Sequence, residues 1–392
     1  MPSDQSTWLV SVPQDGDSEG LLQELSSKLA QQSKSFSRSS IGHLSLPSFK
    51  TGTLDSLISL SEELPKQDTS FTATVAKIVD TLRNLTNNDP SRLSQHILVD
   101  DRTVDDYLLR DWKWDEGRYG TQRSLREIVD VLNKKMTSID TVTKTKLNSY
   151  NLAKGSLTQL KRKKTGNLSV RSLADYVSKE NFIQDSEYLE TLIVAVPKSS
   201  VKDWNSKYER LTSMVVPRSA FAIASDDDYT LFTVVVFRRV RDEFVQKCRE
   251  NKYVVRDYQF SEDQLEKEKD DLETADSMEK ELWTELVNMS RANFSEAFQL
   301  LVHLKVVRLF IESVLRYGLP ANYTGIVIKP EPKSTKRILT LLQSHFSYLA
   351  SRSSGGGKGK SGQNEDFVGE YQTLLDQEYF DFVMYEVPWI VN

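Results

Sequence analysis

At 392 residues the chain has room for two or three folding units. Its 38% hydrophobic content supports cores, its 27% charged residues imply much solvated surface, and a net charge of −5 removes the global basic field of a nucleic-acid binder. A single cysteine excludes an internal disulfide framework and fits a reducing compartment.

The N-terminal MPSDQSTWLVSVPQDGDS has no basic stretch leading into an apolar core, so no signal peptide is expected, and no apolar run is long enough to span a membrane. A soluble cytosolic chain is therefore expected. TWLVSVP (7–13) reads as a strand, and LDSLISLSEEL (54–64) and TATVAKIVDTLRNL (72–85) read as two helices. A heptad-like tract follows. Val129, Leu132, Met136, Ile139, Thr143, Lys146, Tyr150, Ala153, Leu157 and Leu160 step alternately by three and four, which makes a seam for a partner helix. At its end lies the basic LKRKKTGNLSVRS (160–172).

Residues 166–261 read as a compact α+β unit. LETLIVAV (189–196), YTLFTVVVF (229–237) and YVVRDYQF (253–260) are strand candidates, the first ending at Pro197. A helix carrying Trp204, Tyr208, Leu211 and Val215 and another carrying Val240, Phe244 and Cys248 separate them. A second heptad tract holds Leu265, Glu268, Leu272, Ala275, Glu279, Leu282, Leu286 and Met289. The simplest way to bury two narrow seams is to pair them antiparallel as a stalk; the alternative is two separate helices, each packed on its own globule.

FSEAFQLLVHLKVVRLFIESVLRYGLP (294–320) is apolar nearly all round, with Lys305, Arg308, Glu312 and Arg316 on one stripe. Such a helix is wrapped by protein, and Gly318 with Pro320 marks its end. GIVIKP (325–330) and YFDFVMYEVP (379–388) are further strand candidates. An antiparallel stalk would bring 1–125 and 290–392 together in one globule.

Chemistry is hard to find. SSGGGKGKSG (353–362) ends like a phosphate-binding loop, but Ser354 stands where the first glycine belongs and the preceding segment has helical spacing. A flexible linker explains it better. The four histidines, His43, His96, His303 and His345, have no metal-ligand spacing, and His303 reads as a satisfied structural residue. Cys248 sits on a core stripe and Trp204 and Tyr208 read as core, so no catalytic, cofactor or metal residue is assigned. The candidate partner-binding residues are Arg162, Lys163, Lys164 and Arg171. Their plain reading is complementarity to a helix C-terminus; their functional reading is a patch for an acidic partner.

Several strings resemble the C subunit of the vacuolar-type proton ATPase (V-ATPase): FKTGTLDSLISLSEEL (49–64), RKKTGNLSVRSLADYV (162–177), DSEYLETLIVAVPKS (185–199), VVPRSA (215–220) and FIESVLRYGLP (310–320). They occur in the family's order and span most of the chain. Departures fall in the first residues, in 84–96 and in the Gly/Lys loop 351–364. The resemblance implies an elongated α+β dumbbell: a foot from 1–125 and 290–392, an antiparallel neck from 126–165 and 262–289, and a head from 166–261. It also implies a non-catalytic stator component without cofactor, on the cytosolic face of vacuolar and endosomal membranes. The implied partners are the peripheral-stalk heterodimers of the E and G subunits and the N-terminal domain of the membrane-bound a subunit, with actin filaments as a further class. The competing readings are an actin-binding cytoskeletal adaptor and, through the Gly/Lys loop, a nucleotide-binding enzyme.

Overall fold

The computed structural model describes residues 3, 5–14, 16–32, 38–110, 112–173, 176–183, 186–258, 262–349 and 380–389. The Gly/Lys loop lies outside the described residues. In chain order the first elements are β1 (Ser6–Pro13), α1 (Ser18–Gln32), β2 (Ile41–Leu44), α2 (Leu54–Leu85), α3 (Pro90–His96), α4 (Val104–Leu109) and α5 (Leu125–Thr165). The middle supplies β3 (Leu189–Pro197), α6 (Val201–Lys207), β4 (Phe221–Ser225), β5 (Tyr229–Phe237), α7 (Arg241–Glu250) and β6 (Val254–Arg256). The remainder is α8 (Glu262–Tyr317), β7 (Tyr323–Ile328), α9 (Thr335–His345) and β8 (Val383–Pro388). The fold is α+β, with two antiparallel sheets and long helices. The chain divides into a terminal unit, Met1–Thr145 with Leu286–Asn392, and a central unit, Lys146–Glu285.

The terminal unit is built on the sheet β2-β7-β1-β8. β1 is buried on both faces because side chains alternate. Trp8, Val10 and Val12 meet α1 and α9 through Leu25, Leu29, Ile338 and Leu342, while Leu9 faces the opposite core. That core is dominated by α8, whose Phe294, Phe298, Leu301 and Phe310 are buried with Phe71, Val75 and Ile78 of α2. Gly318 ends α8 with φ +79° and its N–H bonds the Val314 carbonyl, as expected of a glycine at a helix C-terminus.

Two helices expected at 54–64 and 72–85 are a single helix, α2, which runs through Pro65. Proline removes one backbone donor, and the long apolar face of Leu57, Leu60, Leu64, Phe71, Val75 and Ile78 outweighs that loss. Likewise the second heptad tract and the apolar 294–320 segment are one helix, α8.

Backbone crowding at β2 yields a sharp prediction. A Cβ on Gly325 would collide with the carbonyl oxygen of Leu44 on the neighbouring strand. Gly325→Ala should cost about 1–3 kcal/mol, as overpacking does. Chemical denaturation would show it as a lowered midpoint with an unchanged slope.

The central unit is built on the sheet β4-β5-β3-β6. One face, with Val194, Val196, Val234 and Val236, packs on Trp204, Phe244 and Cys248 of α6 and α7. The other face, with Ile193, Ala195 and Leu231, is covered by Leu168, Leu173 and Val177 from the segment after α5. Within this unit Lys146 pairs with Glu285 at 2.5 Å and Lys161 with Asp276 at 3.2 Å. Positions rise along α5 as they fall along α8, so these segments run antiparallel.

The helix expected to carry Trp204 through Val215 is shorter. α6 ends at Lys207, a 3-10 turn covers Tyr208–Arg210, and Val215 forms an antiparallel bridge with Val236. Val215 is buried against the same core, by extending the sheet and not by continuing the helix. β2 and β4 have no counterpart among the expected strands.

Candidate functional site

The basic cluster closes α5. Arg162, Lys163 and Lys164 lie exposed in its last turn, where positive charge complements the helix C-terminus. The turn is finished by backbone bonds: Gly166 N–H donates to the Arg162 carbonyl at 2.8 Å and Ser172 N–H to that of Lys163 at 2.6 Å. A Cβ on Gly166 would sit 2.7 Å from the Arg162 oxygen, so the chain closes this tightly only with glycine there.

Two buttresses hold the following segment on the sheet. The Arg256 guanidinium on β6 donates to the carbonyls of Leu168 (2.8 Å), Val170 (3.3 Å) and Arg171 (2.8 Å). Burial draws its pKa below the ordinary arginine value. The Asp226 carboxylate accepts from the N–H groups of Leu168 (2.6 Å), Asp228 (2.9 Å) and Tyr229 (2.6 Å). Desolvation opposes those three bonds, yet the carboxyl stays below its usual range. Sequence reasoning missed both residues. The signal available was Arg256 inside an otherwise apolar strand.

The four candidate residues are not gathered on one point. Neighbouring positions on a helix are about 100° apart, so Arg162, Lys163 and Lys164 fan around its end. Arg171 is half-buried, with its guanidinium 5.0 Å from the centre of the Tyr176 ring. Lys161 is engaged with Asp276, whose carboxyl is held below its usual range by Lys280 first and then by Lys161. The geometry suits diffuse attraction to an acidic surface more than a cradle for one small anion.

The groups that resemble catalytic chemistry are structural. Burial pushes the Cys248 thiol up to about 12, which suppresses the nucleophilic thiolate. No group of three or more His, Cys, Asp or Glu that could hold a metal occurs among the described residues. A cavity of about 540 Å³ is lined by Asp105, Asp106, Arg110 and Lys329, but both cations are already paired, Lys329 with Asp105 and Arg110 with Asp106. No helix among the described residues is long and apolar enough to cross a membrane.

His303 is buried inside a ring of Trp112, Trp114 and Tyr119. Its Nδ1 lies 2.7 Å from the Gln299 carbonyl and its Nε2 accepts from Asp115 N–H at 3.3 Å. The proton therefore resides on Nδ1 and both nitrogens are satisfied. Burial lowers its pKa from 6.5 to about 4. A depressed folded pKa makes neutral His303 contribute stability that is complete above the unfolded pKa and is lost as pH falls through 6.5 to about 4. The loss should approach about 3 kcal/mol at one pKa unit per 1.36 kcal/mol. His303→Gln should remove that part of the slope, which urea midpoints measured between pH 7.5 and pH 4.5 would reveal.

Comparison with known proteins covers nearly the whole chain. The profile of the V-ATPase C-subunit family matches residues 7–383. The chain is 35% identical over 380 residues to the V-type proton ATPase C subunit 1 of Xenopus tropicalis, covering 97% of each. It is 39% identical over 342 residues to the V-type proton ATPase C subunit of Manduca sexta, covering 87% of this chain and 88% of that one. With the V-type proton ATPase C subunit 1-A of Danio rerio it shares 36% identity over 381 residues, 97% of each.

Proposed function

Because this chain belongs to the V-ATPase C-subunit family, we propose that it is a non-catalytic stator component that bridges the catalytic and membrane sectors of the proton pump. The observation that carries the reading is the family match across residues 7–383. Two compact units, each with its own sheet and core, support it, since a connector needs separate surfaces for separate partners.

In this reading residues 166–261 form a head, 126–165 with 262–289 an antiparallel neck, and 1–125 with 290–392 a foot, together an elongated dumbbell. The head grips one peripheral-stalk heterodimer of the E and G subunits. The foot meets a second heterodimer and the N-terminal domain of the membrane-bound a subunit. Arg162, Lys163, Lys164 and Arg171 supply the electrostatic part of a contact with an acidic surface, the first three being exposed at a helix end. Two attachments reinforce one another because the second is intramolecular, so moderate affinities become strong jointly. Loosening either would release the protein and part the two sectors, which is how reversible assembly would silence acidification.

Co-purification of the tagged full-length chain from its source cells is the test. Recovery of the E, G and a subunits in amounts comparable to the bait is the expected result. A partner list lacking all three would end the proposal.

A further inference from the structure

The second face of the central sheet is only half covered by the described residues. Side chains at alternate positions share a face. On β5 that face carries Leu231, Thr233, Val235 and Phe237, and on β3 it carries Leu189, Thr191, Ile193 and Ala195. The segment after α5 closes over Leu231, Ile193 and Ala195. Among the described residues, that cover continues as far as Thr191, whose Oγ1 accepts from Ile183 N–H at 3.1 Å, and leaves Phe237 39% exposed at the edge beyond it.

There the register assembles an apolar surface. Leu189 stands opposite Phe237, and Phe221 of β4 opposite Thr233. The chain before β4 continues the sheet: Val215 bridges Val236, Val216 N–H donates to Val235 O at 3.0 Å, and Phe237 N–H donates to Met214 O at 3.2 Å. Because Val215 and Val236 point into the α6–α7 core, Met214 and Phe237 lie on the other face. Arg238 N–H donates to Tyr188 O at 2.9 Å, which brings Tyr188 to the same end. Phe221 is 66% exposed, Tyr188 71%, Met214 40% and Phe237 39%. Three of these, Met214, Phe221 and Phe237, share the face, and such a group differs from single exposed residues, which need no explanation.

The composition and dimensions of this surface say what fits it. Aromatic residues, methionine and arginine are the types enriched where proteins bind one another. The rim adds exposed Arg218, Arg238 and Arg239, against exposed carboxylates at Glu187 beside Tyr188 and at Glu209, which accepts from Arg218 N–H at 2.9 Å. The three strands span about 10 Å across, and the five residues from Thr233 to Phe237 span about 13 Å along the strand. An α-helix with its side chains is about 10–12 Å wide and would lie on this patch with one apolar stripe. Positive charge on the rim selects a helix whose stripe is flanked by acids.

We propose that Met214, Phe221 and Phe237, with Arg218, Arg238 and Arg239 at the rim, dock an amphipathic helix of a partner protein whose apolar stripe is flanked by carboxylates. This rests on the reading that the partner is the E–G heterodimer, and it assigns the apolar anchor of that contact to the sheet, away from the end of α5.

The probe is the purified E–G heterodimer of the same pump, titrated against the full-length chain. Phe221→Asp should weaken binding at least tenfold with an unchanged melting temperature, because Phe221 is mostly in solvent. Arg238→Glu with Arg239→Glu should slow association and flatten its salt dependence. This second variant leaves the apolar residues in place, so it carries the test alone should Phe221→Asp fail to fold. Tight binding by the native chain with both variants unaffected would overturn this inference and spare the proposed function. Loss of binding confined to an Arg162→Glu, Lys163→Glu, Lys164→Glu variant would also overturn it, by moving the contact to the helix end. No binding by the native chain would sink both. A native dimer that Phe221→Asp converts to monomer in sedimentation would show that a second copy occupies the face, and would equally refute the proposal.

Discussion

Asp68→Asn is expected to destabilise the terminal unit by about 3–5 kcal/mol, the cost of stranding buried charge by removing its partner. Asp68 lies on α2, and its two oxygens accept from Lys305 Nζ and Arg308 Nη1 of α8, each at 2.7 Å. All three groups are wholly or largely out of solvent, with Lys305 only 4% exposed. Burial draws the Lys305 pKa down, and the Asp68 carboxylate works against that shift. With a neutral amide in its place, two cations stay close together with no anion between them. Arg308 keeps one favourable neighbour, the Tyr385 ring 4.2 Å away. Lys305 keeps only the weaker attraction of the Glu386 carboxylate. Asparagine preserves the volume of aspartate, so the loss reports charge and not packing. Adding Lys305→Met to Asp68→Asn should recover more than half of the lost stability, since a buried ion pair gains little over well-packed apolar groups. Urea denaturation of the two variants checks this. A loss below about 1 kcal/mol for the single variant would mean that water reaches the triad and screens it.

That cluster shows where sequence reading succeeds and where it stops. Lys305, Arg308, Glu312 and Arg316 are legible as one stripe, because a helix places i, i+3 and i+4 on a common face. Their partners are not. Asp68 answers two of them from 237 and 240 positions away, Ser61 bonds Glu312, and the carbonyls of Phe380 and Phe382 receive Arg316. Nothing local in α2 marks Asp68 as buried. The heptads are legible for the same reason as the stripe, and Val129, Leu132, Met136, Ile139, Tyr150 and Leu157 are buried.

Strands β2 and β4 are harder to see for definite causes. β2 is four residues with a glycine inside it, and β4 is interrupted between Ala222 and Ala224 by a register shift that breaks its period of two. The overlong helix through Val215 shows tertiary pairing overriding periodicity: the 3.6-residue spacing is real, but a bridge to Val236 decides the backbone. The same strand extension brings Met214 beside Phe237, so an error in local structure conceals an apolar surface. The basic cluster can be found because charge runs are visible in one dimension; the apolar patch is assembled from segments that only the sheet brings together.

Trp204→Ala should be the most damaging single change in the central unit, at about 3–5 kcal/mol for a fully buried tryptophan. Trp204 has no exposed surface and stands among Tyr208, Phe232, Phe244 and Tyr253, with ring centres 5.1 to 6.5 Å away. Its indole N–H finds no acceptor among the described residues. That detail separates two substitutions. Trp204→Ala leaves a cavity ringed by aromatics that cannot close without shifting β3 and α7. Trp204→Phe keeps most of the ring contacts and removes an unpaired buried donor, so it should cost less than about 1.5 kcal/mol. Chemical denaturation monitored by near-ultraviolet circular dichroism measures both. Binding to the E–G heterodimer should follow the same order, nearly native for phenylalanine and lost for alanine above the lowered midpoint, because the exposed patch keeps its register only while β3 and β5 are held by the core behind them. Equal costs for the two variants would mean that the indole N–H is satisfied, and that the aromatic packing around it contributes less than its burial implies.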